Sequence, residues 1–158
     1  MKGLMKVALG ADHGGFLYKG LLVNFLTTKG YQVLDLGTCG PEPADYPDFA
    51  RLVAEAIILK VADRGILICG SGVGASVAAN KFPGVRAAIC HDTFSAHQGV
   101  EDDDMNLLCL GERVVGPELA KEIALRFLAA KFSMAERHVR RLGKVKAIEG
   151  EFMKAGAS

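Results

Sequence analysis

The sequence predicts an α/β fold, a three-layer αβα sandwich around a five-stranded parallel sheet with an extra C-terminal helix. Three observations predict it. Five short apolar runs alternate with segments of helical periodicity, the pattern of a sheet covered by helices on both faces. The central run, Gly65-Ile66-Leu67-Ile68-Cys69, is apolar without interruption, as a strand buried on both sides must be. It leads straight into Gly70-Ser71-Gly72-Val73-Gly74 and then small helix-compatible residues, a tight strand-to-helix turn.

A chain of 158 residues can bury a substantial core as one domain spanning 1–158. Hydrophobic residues make up 50% and charged residues 23%, and the formal net charge is +1, so no overall field favours nucleic acid or a membrane surface. The residues Met1-Lys2-Gly3-Leu4-Met5-Lys6 lack the apolar stretch of a signal peptide, and no segment approaches membrane-spanning length. Cys39, Cys69, Cys90 and Cys109 show no CxxC spacing, which argues against a zinc site or a disulfide framework. The expected location is the cytoplasm.

Taken in order, Lys6–Gly10 is the first strand, ending in Asp12-His13-Gly14-Gly15. A helix follows from Phe16 to about Lys29, with Leu17, Leu21, Leu22, Phe25 and Leu26 as its apolar stripe and Gly30 as its stop. Tyr31–Leu36 is the second strand and Gly37–Pro43 a loop. Asp45-Tyr46-Pro47 opens a helix whose Phe49, Leu52, Val53, Ala56 and Ile57 recur at helical spacing. After the central strand, the short helix ends at Phe82-Pro83-Gly84. Val85–Cys90 is the fourth strand, and His91-Asp92-Thr93 starts a polar helix. Glu101-Asp102-Asp103-Asp104 forms an acidic corner before the fifth strand, Asn106–Leu110. Gly116-Pro117 begins a helix to about Ala130, and a last helix spans roughly Ala135 to Lys154. That helix has no strand after it and is expected to pack on a partner subunit.

In a parallel sheet, ligands sit beyond the carboxyl ends of the strands. Asp12-His13, the Cys69 turn, His91-Asp92 and the acidic corner are expected to meet there. Cys69 is the sharpest signal, because backbone N–H groups at a glycine turn and helix start favour a thiolate. It could serve as a nucleophile, activated by His13, His91 or His97, or as a base that removes a proton from carbon. Gly70, Gly72 and Ala75 also satisfy GxGxxA with Asp92 about 20 residues on, a dinucleotide pattern weakened by its place away from the first strand. Arg137 and Arg141 share one helical face beside His138; this is either a solvated charged face or a phosphate clamp. The acidic corner is either solvated or a metal site, with no calcium-loop glycine in support.

Several stretches, in order and at matching spacing from Lys6 to Ile148, resemble one family, the ribose-5-phosphate isomerase B and galactose-6-phosphate isomerase group. They are Gly10-Ala11-Asp12-His13-Gly14-Gly15-Phe16, Asp45-Tyr46-Pro47, Ile66-Leu67-Ile68-Cys69-Gly70-Ser71-Gly72-Val73-Gly74, Ala79-Asn80-Lys81-Phe82-Pro83-Gly84-Val85-Arg86-Ala87, Gly111-Glu112-Arg113-Val114-Val115-Gly116, and Arg137-His138 with Arg141. The resemblance implies a flavodoxin-like strand order 2-1-3-4-5 and a homodimer with shared active sites, with pairing into tetramers left open. It also implies aldose–ketose isomerisation of a phosphorylated sugar through a cis-enediolate, with no metal or organic cofactor. By position it makes Cys69 the base and Ser71 the group that polarises a substrate oxygen. The amides from Gly70 to Ala75, those of Gly72 and Gly74 among them, would stabilise the enediolate. Asp12, Tyr46 and Asn80 would position hydroxyls, and His13, Arg113, Arg137, His138 and Arg141 would hold the phosphate.

The chain departs from the family pattern at one place. Typical members read His-Asn-Asp-Ala-Asn before the fifth strand, the His opening the furanose and the Asn binding substrate. Here the residues are Asp102-Asp103-Asp104-Met105-Asn106, so a carboxylate, Asp102, stands where the imidazole belongs and Asp103 where the Asn belongs. Ala135-Glu136-Arg137 likewise replaces Gly-Gly-Arg. A carboxylate of ordinary pKa near ~4 exchanges protons poorly at neutral pH. Slow turnover of ribose 5-phosphate is therefore expected, with relative preference for sugars that are already open. The alternatives are Asp102 or His97 in place of the imidazole, a four- or six-carbon phosphosugar as substrate, or a non-catalytic phosphosugar-binding paralogue.

Overall fold

The computed structural model describes residues 3–153. Five strands, β1 (Lys6–Ala11), β2 (Gln32–Asp35), β3 (Arg64–Cys69), β4 (Ala87–Ile89) and β5 (Leu107–Gly111), form one parallel sheet. Six α-helices surround it: α1 (Phe16–Thr28), α2 (Tyr46–Ile58), α3 (Val73–Ala79), α4 (Thr93–Asp103), α5 (Pro117–Ala129) and α6 (Glu136–Phe152). Lys154, the expected end of the last helix, lies outside the described residues. No helix among the described residues is long and apolar enough to cross a membrane.

The fold class is as expected, but the last two strands exchange places. The order is β2-β1-β3-β5-β4, not 2-1-3-4-5. The reason is burial. Every residue of β5 is buried, and Cys109 pairs with Leu67 of β3 on one side and Ile89 of β4 on the other. Strand β4 is three residues long and only half-buried, which suits an edge.

Side chains alternate between two cores. Val7, Leu9, Ile66, Ile68, Leu108 and Leu110 meet Leu22 and Leu26 of α1, Ala96 and Val100 of α4, and Ile123 and Phe127 of α5. On the other face Ala8, Leu67, Cys69, Leu107 and Cys109 pack on Val53 and Ile57 of α2 and Ala75 and Ala79 of α3. Buried Lys19 of α1 pairs with Asp35 at 3.0 Å and donates to the Thr38 carbonyl at 2.8 Å, which fixes the loop after β2. Asp92 caps α4: its Oδ1 accepts the Ser95 N–H at 2.6 Å, which holds its carboxyl below the usual range. That cap accounts for Asp92 without a nucleotide.

The acidic corner needs two corrections. Glu101, Asp102 and Asp103 are the last turn of α4, and Asp104 ends it in the left-handed region at φ 51°. They also lie at the amino edge of the sheet, because a residue just before a parallel strand sits at that strand's start. Cys69 ends β3 and lies at the opposite edge.

Helix entry at the carboxyl edge depends on close backbone approach. A Cβ on Gly15 would lie 2.3 Å from the Ile68 carbonyl oxygen, in a contact between backbone groups that cannot easily move. Gly15→Ala is predicted to cost about 1–3 kcal/mol and lower Tm by several degrees in a thermal melt. An unchanged Tm would show that the first helix can shift without penalty.

Candidate active site

A cleft of about 350 Å³ opens at the carboxyl edge, lined by Asp12, Tyr46, Cys69, Gly70, Ser71, Gly74, Arg113 and Val114. Seven of those eight residues are among the sequence candidates. A larger cavity of about 680 Å³ lies at the amino edge, where Arg86 pairs with Asp104 at 3.0 Å. Its two arginines are engaged, Arg86 by Asp104 and Arg64 by the carbonyls at the end of α5, and its lining carries no thiol, hydroxyl or imidazole, so chemistry favours the smaller cleft.

The glycine turn shapes the cleft through its backbone. Gly72 has φ 84°, a left-handed conformation that glycine adopts without strain. This turns its N–H back onto Cys69 Sγ, at 3.0 Å. The hydroxyl of Ser71 accepts the Val73 N–H at 3.2 Å, which leaves its own hydrogen to donate to a ligand. In the first turn of α3, the Gly74 and Ala75 N–H groups have no carbonyl partner among the described residues. The amides expected to face substrate therefore divide: those of Gly72 and Val73 organise the site, and those of Gly74 and Ala75 are open to an oxyanion.

Neighbouring elements close on this turn. The Tyr46 ring lies against Gly74, where a Cβ would come within 2.9 Å of the ring. Gly14 packs on the Gly70 amide, and Asp12, 7% exposed, accepts the Gly14 N–H at 2.9 Å. After β5, the Glu112 and Arg113 N–H groups donate to the Cys69 and Gly70 carbonyls at 2.9 and 3.1 Å. These bonds bring the exposed Arg113 guanidinium over Gly70, in the same cleft as the thiol. His13 Nδ1 lies 3.1 Å from the Ala44 nitrogen, which ties the loop before Tyr46 to the end of β1.

Other candidates fall elsewhere. Asn80 exchanges two hydrogen bonds of 2.9 Å with the Ala87 backbone, holding the end of α3 against β4. Asp103 is exposed at the end of α4. Asp102 accepts from Gln98 at 2.6 Å and lies 3.4 Å from His138 Nε2. Arg137 and Arg141 are exposed on α6 and form no ion pair among the described residues. Of the imidazoles considered as activators of the thiol, His91 accepts the Gly111 N–H at 3.0 Å and His97 pairs with Glu101 at 3.0 Å. Sequence reasoning missed Gln98 and Ser133, which hold Asp102 and His138; only the four-residue spacing of Gln98 and Asp102 signalled either contact.

A parallel sheet with a thiol, an open amide turn and an arginine at its carboxyl edge defines a class, the α/β enzymes that handle small anionic substrates there. The sequence model of the family described as Ribose/Galactose Isomerase matches residues 7–145, and this chain belongs to that family. It is 45% identical to ribose-5-phosphate isomerase B of Escherichia coli (strain K12) over 146 residues, covering 92% of this chain and 97% of that one. The solved ribose-5-phosphate isomerase B of Clostridium thermocellum superposes with TM-score 0.91 at 49% identity, covering 94% of this chain and 99% of that one. A D-erythrulose-4-phosphate isomerase of Pectobacterium atrosepticum is 42% identical over 131 residues, covering 82% of this chain and 86% of that one.

Two other thiols sit behind the cleft. Burial, with Asp92 nearby, pushes Cys90 up to about 11, and burial raises Cys109 further still. An unfolded thiol loses its proton near pH ~8.5. Above that pH the folded state holds more protons than the unfolded one, so stability falls as pH rises. Tm is predicted to drop progressively between pH 9 and 11, and Cys90→Ala should flatten that drop. An identical pH profile in the variant would contradict the assignment.

Proposed function

We propose that this chain interconverts an aldose phosphate and a ketose phosphate of the ribose 5-phosphate and ribulose 5-phosphate type. The observation that carries the reading is the Gly72 N–H donating to Cys69 Sγ at 3.0 Å, on the floor of a cleft walled by Asp12, Ser71 and Arg113. An N–H aimed at sulfur stabilises negative charge there. The thiolate takes the proton from C2 of the open aldose, and the C–H electron pair becomes the enediolate double bond. The Ser71 hydroxyl and the Gly74 and Ala75 amides meet the developing oxyanion, a preorganised contribution of the kind that dominates many active sites. Returning the proton to C1, while the O2 hydroxyl proton passes to O1 beside the Ser71 hydroxyl, gives C2=O and the ketose.

One protomer presents the proposed site in two pieces. Cys69 and its cleft lie at the carboxyl edge, whereas Arg137 and Arg141 are carried by α6, whose start lies beside Asp102 at the end of α4; His138, expected with them at the phosphate, is buried between Ser133 and Asp102 instead. A cytoplasmic homodimer in which α6 of one copy completes the cleft of the other supplies the phosphate-binding cations. Leu142 of α6 is buried against its own chain, while Val145, Ile148 and Phe152 on the same stripe are 51%, 60% and 75% exposed, which fits a face for a second copy. Cys69→Ala is predicted to lower turnover by about 10²–10⁴-fold while phosphosugar binding persists. Arg137→Ala should weaken binding by about 1.5–3 kcal/mol, the value of a charged hydrogen bond. Mixing the two impaired variants at limiting substrate should restore activity through hybrid dimers. Undiminished turnover in Cys69→Ala would remove the thiol from the mechanism, and no restoration on mixing would place each site within one chain.

Position 102 favours a second reading, a four-carbon substrate. Asp102 stands where typical members carry the ring-opening imidazole, and its carboxylate is held by Gln98 and His138. A four-carbon sugar phosphorylated on its terminal oxygen forms no furanose and needs no ring opening. The relative named D-erythrulose-4-phosphate isomerase belongs to the same neighbourhood of sequences. On this reading kcat for the four-carbon phosphosugar exceeds that for ribose 5-phosphate, and Asp102→His with Asp103→Asn raises ribose 5-phosphate turnover selectively. Faster wild-type turnover of ribose 5-phosphate, with harm from the double change, would discard the four-carbon reading.

A further inference from the structure

The cluster at the start of α6 contains a chain of polar contacts that runs from Ser133 through His138 and Asp102 to Gln98. His138 is 5% exposed and both of its ring nitrogens are engaged. Ser133 Oγ accepts the Ala135 N–H at 3.2 Å and lies 2.6 Å from His138 Nδ1. On the other side of the ring, Nε2 lies 3.4 Å from Asp102 Oδ1. The second Asp102 oxygen accepts from Gln98 at 2.6 Å. The Ser133 N–H also donates to the Glu101 carbonyl at 2.9 Å, binding the segment before α6 to the last turn of α4.

Helix α6 has no side-chain cap at Ala135. What fixes its first turn to the rest of the protein is His138, held between Ser133 and Asp102. Arg137 precedes His138 directly, and Arg141 lies one turn beyond Arg137. Unpaired arginines of this kind bind a phosphate well only when their backbone is already in place, because ordering a loose helix end subtracts from binding. Asp102, with both oxygens occupied, is badly placed to exchange protons with a sugar ring.

We propose that Asp102 is a positioning residue: through His138 it fixes the first turn of α6, so that Arg137 and Arg141 are set to receive a phosphate. This inference rests on the reading of those arginines as the phosphate clamp. A carboxylate at position 102 thus exchanges the ring-opening role of the family's imidazole for a hold on a neighbouring imidazole.

The test compares Asp102→Ala, His138→Gln, the double variant and Asp102→Asn. KM for the phosphosugar and the dissociation constant of inorganic phosphate should each rise about tenfold in both single variants, a change of about 1.4 kcal/mol, with kcat within about twofold of wild type. The double variant should be no worse than either single one, as for residues acting through one contact. Asp102→Asn keeps an oxygen for the Nε2–H and should recover most of the affinity. Ser133→Ala, at the other ring nitrogen, gives the same readouts should an Asp102 variant fold poorly. A fall in kcat at constant KM, additive effects in the double variant, or unchanged phosphate binding would overturn the proposal. Phosphate binding is measured without turnover. A wild type that binds phosphate through Asp102 yet isomerises no sugar would therefore reject the isomerase and keep this inference. A wild type that binds no phosphate would reject the clamp and the inference together.

Discussion

The site depends on backbone approaching backbone at the end of β3. Gly15 lies on the Ile68 carbonyl, Gly14 on the Gly70 amide and Gly111 on the Ser71 backbone, all at separations that leave no room for a Cβ. Only with those elements drawn in can Gly72 turn through φ 84° and aim its N–H at Cys69 Sγ. The sheet supplies the rigidity. Strand β3 is flanked by β1 and β5, both almost wholly buried, so the thiol stands at the end of the best-supported strand in the molecule.

The same architecture explains why the proposed site falls in two pieces along this chain. A parallel sheet sends every strand end to one edge, and Asp12, Cys69 and Arg113 follow from that rule. The residues that precede strands go to the other edge, and α4 delivers Asp102 there. Helix α6 begins beside it and carries the arginines along a different surface. The proposed homodimer would bring the strand-end thiol and the helix-borne cations onto one small substrate.

Much of this was legible in the sequence, for identifiable reasons. The buried β3 and its glycine turn announce themselves by an unbroken apolar run followed by alternating glycines, and the structure places Cys69 at that turn. The exchange of β4 and β5 was not legible: Val85–Cys90 reads as a strand of full length, while only its middle, Ala87–Ile89, pairs, and it pairs at the edge. The edge on which the acidic corner falls follows from its position before a strand, a rule that overrides its nearness in sequence to the carboxyl-edge residues His91 and Asp92. Contacts that span a chain reversal were not legible. Nothing in the spacing of Asp102, Ser133 and His138 shows that α4 and α6 meet. Asn80 reads as a polar residue free for ligand, while its amide is spent on the Ala87 backbone.

The central claim is that a thiolate in this cradle moves a proton between adjacent carbons. The most direct measurement follows an aldose phosphate carrying deuterium at C2 through limited conversion. Proton transfer through an enediolate predicts that part of the label reaches C1 of the ketose and part exchanges with solvent, and that Cys69→Ala does neither. Quantitative transfer to C1 with no exchange, or exchange that survives the loss of Cys69, would contradict it.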